Sequence, residues 1–209
     1  MSFNRKNHWE GVYTQKAPTE VSWYQTTPAL SLQLIASAGI NHSSKIIDVG
    51  GGASVLVDKL LEDGYTDVTV LDISVHALHY AKERLKTRAE KVTWIISDIT
   101  EFEPACVYDL WHDRAVFHFL TDPQDRRKYA GVLKKAVQPS GRAIISAFAL
   151  EGPPKCSGLP VKRYNAEKME KELGEDFECI GNVTETHLTP WNTKQEFLYC
   201  SFKRTPPKL

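Results

Sequence analysis

Asp48-Val49-Gly50-Gly51-Gly52-Ala53-Ser54 sits at the end of a short apolar run, Lys45 to Val49 (KIIDV). It leads straight into a segment with Ala53, Leu56, Val57, Leu60 and Leu61 at helical spacing. Strand, glycine turn and helix in that order form the opening unit of a parallel α/β sheet. Glycines at such a turn let the backbone bend sharply and come close to a ligand. The free N–H groups at the helix start favour a polar or anionic ligand group.

Working outward, the alternation repeats. Gly64 stands where the first helix ends. Asp67 to Asp72 (DVTVLD) reads as a second strand, and Ser74 as the N-cap of a helix reaching about Lys86, with Ala77, Leu78, Ala81 and Leu85 on one face. Lys91 to Ser97 and Val107 to His112 are the third and fourth strands. A helix over Asp125 to Val137, a turn at Pro139-Ser140-Gly141 and a fifth strand over Arg142 to Leu150 follow. Such regularity predicts βαβ units and a parallel sheet covered on both sides.

The end of the chain departs from this rhythm. After a Pro- and Gly-rich loop, Glu151 to Pro160, comes a short helix near Ala166 to Leu173. Two strand-like runs, Phe177 to His187 and Gln195 to Lys203, then lie close enough to pair only as a hairpin. Residues 1–44 read as one or two helices, Pro28 to Ala38 the clearer, capping an α/β core over 45–209 in one domain.

Composition narrows the function. Lys plus Arg equals Asp plus Glu at 26 each, which argues against a basic groove for nucleic acid or an anionic membrane. Cys106, Cys156, Cys179 and Cys200 show neither metal-ligand nor disulfide spacing, so reduced thiols in a cytoplasmic protein without metal are expected. MSFNRKNHWEG lacks the apolar stretch of a secretory leader, and no run is long enough to span a bilayer.

Asp72 lies 20 residues after Gly52, at the end of the second strand, where a carboxylate can hold the hydroxyls of a ribose. A dinucleotide loop needs a third glycine, but Gly50-x-Gly52-x-x ends on Val55. A ligand with a ribose and no pyrophosphate fits better, and S-adenosylmethionine is one.

Asp48-x-Gly50-x-Gly52 resembles the first motif of the class I S-adenosylmethionine-dependent methyltransferases, with Ser54 in place of the last glycine. The likeness runs from about Trp9 onward and implies a Rossmann-like three-layer sandwich: a mostly parallel seven-stranded sheet ending in an antiparallel hairpin. It implies cofactor contacts at Asp48, Gly50, Gly51 and Gly52, and at Asp72 with Ile73 for the ribose. For the adenine it implies Asp98 as acceptor of the exocyclic amine and Ile99 through its backbone. Asp109 to Leu120 (DLWHDRAVFHFL) matches the segment lining the methionine end, with Asp113 or the backbone of Ala115 facing the cofactor. Trp9, Tyr13 and Trp23, with Tyr24 beside it, fall in the segment that closes over the cofactor in small members, where aromatic faces can shield a sulfonium.

A sulfonium carries its own activation, so transfer needs mainly alignment and exclusion of water. His118 is the candidate base, its ordinary pKa lying near working pH, set against a plain packed histidine. Arg114 is a candidate clamp for a substrate carboxylate, set against a surface ion pair. Cys156 and Arg163 fall in or near the loop expected to meet the acceptor. A small-molecule acceptor is the first reading and a protein lysine the second. Tyr164-Asn-Ala-Glu-Lys168 keeps a nicotinamide-dependent oxidoreductase open as a rival, and a non-catalytic cofactor-binding module is another.

Overall fold

The computed structural model describes residues 4–206. Two helices come first, α1 (Arg5–Gln15) and α2 (Ala29–Ala36). Then follow β1 (Lys45–Val49), α3 (Leu56–Glu62), β2 (Asp67–Asp72), α4 (Val75–Leu85), β3 (Val92–Ile96), β4 (Tyr108–Arg114), α5 (Pro123–Ala136) and β5 (Val137–Phe148). A two-residue hairpin, β6 (Lys155–Cys156) and β7 (Leu159–Pro160), precedes α6 (Ala166–Leu173), β8 (Phe177–Leu188) and β9 (Lys194–Arg204).

The seven long strands form one sheet in the order β3-β2-β1-β4-β5-β9-β8. The first five are parallel, whereas β9 pairs antiparallel with β5 and β8 antiparallel with β9. The terminal hairpin therefore folds back so that the last strand, not the one before it, joins the parallel sheet. Both faces are buried, and neighbouring residues on a strand serve opposite cores. Ile46, Val70, Leu110 and Ile144 pack with Ile35, Leu56, Leu60 and Leu78 from α2, α3 and α4. Ile47, Leu71, Trp111 and Ile145 pack with Tyr129, Leu133 and Met169 from α5 and α6. This period-2 division explains why the strands read as continuous apolar runs.

Strand order reverses at β1, which pairs with β2 on one side and β4 on the other. A crevice opens at the carboxyl ends of the strands at such a switch point. Fourth-strand pairing runs two residues beyond His112, because Asp113 and Arg114 keep their ladder to Ile145 and Ser146 of β5. These two side chains thus project from a rigid strand rather than a loop. Pro139-Ser140-Gly141 forms an excursion inside β5, where the register with β4 shifts and Ser140 takes a positive φ.

Beyond β4 the chain turns through Ala115 (φ 76) and a single helical turn at Phe117–Phe119. Asp113, fully buried, holds this turn. It accepts from Val116 N at 2.8 Å and from the Tyr129 hydroxyl of α5 at 2.6 Å. Tyr129 in turn accepts from Trp111 Nε1 at 3.0 Å. Tyr129→Phe strips one donor from a buried carboxyl group and leaves the indole without its acceptor. A loss of about 1–3 kcal/mol is expected in urea denaturation with unchanged m-value; a variant as stable as the parent shows that Asp113 does not need this partner.

Candidate functional site

The carboxyl ends of β1, β2 and β3 bring three carboxyl groups, Asp48, Asp72 and Asp98, to the crevice around the turn after β1. Gly50 has φ 68, and a Cβ there would collide with Val116 of the turn after β4. Gly52 has φ 36, and its Cβ would collide with Asp72 Oδ2 at the end of β2. These two positions need glycine for both their backbone conformation and their neighbours.

Asp48, at the end of β1, is buried and bonded to buried His112 of β4 at 2.7 Å. A carboxylate only accepts, so Nδ1 of His112 donates, while Nε2 shares a hydrogen bond with the Ser31 hydroxyl of α2 at 3.0 Å. Ser31 is itself fully buried, so this array ties α2 to the sheet. Asp48 Oδ2 is buried with no hydrogen-bond partner.

Asp72 closes β2, its Oδ1 accepting from Ser74 N at 2.8 Å. Burial, helped by the charges of Asp48 and Glu10, pushes its pKa up to about 7 against the hydrogen bonds from the Ser74 and Ile73 amides. Burial likewise pushes Asp113 up to about 7. Asp98 lies after β3. Its Oδ1 accepts from Thr100 N at 2.9 Å and Thr100 Oγ1 at 2.8 Å, and its Oδ2 from Arg5 at 3.2 Å. One of four lone-pair directions is left for a ligand. Arg5 also pairs with Asp125 of α5.

Helix α1 is fastened over this edge by Glu10, which accepts from Ser74 Oγ (2.8 Å), Val75 N (2.8 Å) and His76 N (3.2 Å) at the start of α4. Partial burial works against its charge, but the bonds from His76, Val75 and Ser74 win and hold its pKa down at about 2. The segment after α1 is tied down as well: Arg114 Nη1 donates to the Trp23 carbonyl at 2.9 Å and His187 Nε2 to the Ser22 carbonyl at 2.7 Å.

Between cap and sheet runs a cleft of about 820 Å³, part of it open to solvent. Gly50, Asp72, Ile73, Asp98 and Ile99 line it from the sheet side and Trp9, Tyr13 and Trp23 from the cap. Arg114 and Cys156 complete its far end with Phe119 and Phe197. A second hollow continues past Trp23 along Asp48, Gly51 and Ser54, sharing Arg114, Gly50 and Tyr13 with the first. The aromatic rings of the roof meet edge to face, Trp9 with Phe119 at 4.9 Å and with Trp23 at 5.8 Å.

Other residues singled out from the sequence lie elsewhere. Gly52 stands behind the carboxyl group of Asp72. Asp113 is spent on the turn described above. His118 is fully buried, accepts at Nδ1 from Phe148 N at 3.2 Å and lies outside the cleft wall. Burial, with the nearby Arg114 charge, pushes its pKa down to about 3. Arg163 donates to the carbonyls of Leu150 and Gly152. Tyr164 is buried while Lys168 is exposed, so this pair does not share a site. Burial pushes the Cys156 thiol up to about 11. Val116 and Phe119, within the segment expected to line the methionine end, do line the cleft, and Arg5 and Phe197 line it without having been foreseen. Phe197 carries a faint signal, as an inward position on a strand of alternating pattern; Arg5 carries none.

Residues 47–143 match the model of a methyltransferase domain. The eEF1A lysine and N-terminal methyltransferase of Mus musculus is 28% identical over 125 residues, 59% of this chain and 18% of that protein. A malonyl-[acyl-carrier protein] O-methyltransferase of Anoxybacillus flavithermus is 33% identical over 111 residues, 52% of this chain and 40% of that protein. The chain thus spans about a fifth of the length of the eEF1A lysine and N-terminal methyltransferases it matches. Among solved structures, one from the conversion of a disulfide bond into a thioacetal group during echinomycin biosynthesis superposes with a TM-score of 0.79, at 17% identity, over 98% of this chain and 93% of the other. The N-methyltransferase NodS of Bradyrhizobium japonicum WM9, in complex with S-adenosylhomocysteine, gives 0.67 at 21% identity over 86% and 85%.

Replacing His112 by Leu leaves the Asp48 carboxyl group buried without its donor. Destabilisation of about 3 kcal/mol is expected in chemical denaturation. A change below about 1 kcal/mol shows that β1 and β4 do not depend on this bond.

Proposed function

The chain belongs to the class I S-adenosylmethionine-dependent methyltransferases, and from that premise we propose that it transfers a methyl group from S-adenosylmethionine to a small-molecule acceptor. The observation that carries the reading is the convergence of the Gly50 turn, Asp72 and Asp98 on one cleft. The unpartnered Asp48 Oδ2 in the adjoining hollow supports it further, as a buried acceptor suited to the ammonium of an amino-acid ligand. When bound, the cofactor supplies an electrophilic methyl group on a sulfonium.

The residues divide the work. Asp72, with Ile73 beside it, is assigned the ribose hydroxyls. Asp98 and Ile99 are assigned the adenine, Asp98 through the acceptor direction that Arg5 and Thr100 leave open. The Gly50-Gly51-Gly52 turn gives the methionine end room beside backbone. Trp9, Tyr13 and Trp23 exclude water and present ring faces to a cation. Neither His118 nor Cys156 stands ready as a proton acceptor at the far end: His118 lies outside the wall, and the Cys156 thiol is held protonated by burial. The acceptor therefore arrives with its nucleophilic lone pair free. A protein lysine acceptor is the second reading, favoured by the eEF1A-modifying relatives. A cytoplasmic setting suits four free cysteines, and no helix among the described residues is long and apolar enough to cross a membrane.

Thermal shift tests the cofactor assignment. S-adenosylmethionine and S-adenosylhomocysteine at 100 times their dissociation constants stabilise by about 2.7 kcal/mol, NAD does not, and Asp72→Ala loses most of the effect. An unaltered shift in that variant removes the ribose assignment.

The pH dependence has a defined sign. The Asp72 carboxyl group, with its pKa about 7 in the free protein, is largely protonated at pH 6 and ionised at pH 8. Ribose hydroxyls donate best to the ionised form, so binding favours loss of the proton. Calorimetry is expected to show S-adenosylhomocysteine affinity falling below pH 7, by up to about tenfold per unit. Asp72→Asn binds more weakly at pH 8 and loses the dependence; a flat profile in the unaltered protein contradicts the assignment.

A further inference from the structure

Two guanidinium groups face the cleft, and only one is compensated. Arg5 is paired with Asp98 and Asp125. Arg114 has no carboxylate partner among the described residues. Its Nε donates to the Tyr199 hydroxyl at 2.9 Å, its Nη1 donates to the Trp23 carbonyl at 2.9 Å, and its Nη2 is buried with no acceptor. Its plane lies over the Phe197 ring at 4.8 Å. Glu185 stands one link away, accepting from the Tyr199 hydroxyl at 3.1 Å.

Arg114 is half-buried, with Nη2 shut off from water; partial desolvation of a cation without a counter-charge is costly, and a fold keeps one where something else supplies the anion. The walls beside Arg114 are apolar: Trp9, Trp23, Phe119 and Phe197. The side chains assigned to the nucleoside, Asp72 and Asp98, come from β2 and the turn after β3, whereas Arg114 ends β4 on the other side of β1.

We infer that Arg114 is the recognition element for the methyl acceptor, and that the acceptor is an organic carboxylate with a flat apolar body. The inference rests on the cofactor reading above and names the acceptor class for that same cleft. One positive charge with a single nitrogen to spare matches a monoanion; a phosphate dianion needs more donors than this wall offers. An ammonium-bearing acceptor such as a lysine side chain would meet a positive charge there, with the neighbouring Glu185 already engaged by the Tyr199 hydroxyl.

The test uses the full chain saturated with S-adenosylhomocysteine and matched pairs of probes: indole-3-acetate and indole-3-acetamide, cinnamate and cinnamamide, benzoate and benzamide. At least one acid is expected to raise the melting temperature while its amide does not. Arg114→Met is expected to weaken that acid about thirtyfold or more, with S-adenosylhomocysteine affinity within about threefold of the parent, and Arg114→Lys to fall between. Amides that bind as well as acids, or acids that fail to bind while S-adenosylhomocysteine does, overturn the inference. So does an Arg114→Met variant that loses S-adenosylhomocysteine as strongly as the acid, since Arg114 then holds the cofactor's own carboxylate. Failure of S-adenosylhomocysteine to bind the unaltered protein removes the cofactor reading instead, and the two failures are distinct. If Arg114→Met does not fold, the acid–amide comparison on the unaltered protein and on Arg114→Lys decides.

Discussion

One buried hydrogen bond, Asp48 to His112 at 2.7 Å, joins the carboxyl ends of β1 and β4 at the place where strand order reverses. The crevice exists because the chains leaving these two strands part company there. The bond keeps the two strand ends together while the Gly50 turn goes one way and the Ala115 turn the other. Through Ser31 the same imidazole reaches α2, so the sheet edge and part of the cap share one polar anchor. Its energetic weight follows from burial: neither side chain has water to fall back on.

Around that anchor stand further acids, Asp72 at the end of β2 and Asp113 near the end of β4, both with pKa values raised to about 7 by burial and both feeling the Asp48 charge. Their work differs. Asp113 is satisfied by Val116 and Tyr129 and shapes the turn behind the cleft, whereas Asp72 keeps a face on the cleft itself. An edge with acids beneath and indole rings above attracts a positively charged ligand. The far end reverses this polarity, with Arg114 among aromatic walls. On the readings proposed above, one cleft offers opposite charge preferences at its two ends.

Much of this was legible in the sequence because it depends on local rules. Apolar runs ending in glycine or an acid, with helical spacing between them, placed β1 to β5 and the glycine turn, and the two closely spaced runs at the end could only be a hairpin. Asp72 was singled out because a carboxylate at a strand end follows the glycine turn at ribose-binding spacing, and Asp48 and Asp98 because the resemblance implied them; all three lie at or just beyond the carboxyl ends of their strands. Partnership between distant positions was not legible. Nothing near His118 announces that the backbone of Phe148 takes its ring nitrogen and removes it from the cleft. Nothing near Arg5 announces its meeting with Asp98, 93 residues away. The extension of β4 through Arg114 was missed for a related reason: pairing with β1 as far as Asp113 and with β5 as far as Arg114 carried the strand past the point where its apolar pattern stops.

A crystal structure grown with S-adenosylhomocysteine measures the central claim most directly. Expected is one molecule along the cleft, ribose hydroxyls against Asp72, adenine beside Ile99, and the amino-acid end passing the Gly50 turn toward Asp48. Density for the ligand on another face of the sheet, or a cleft filled by the Trp9 and Trp23 rings with no ligand inside at saturating concentration, contradicts it.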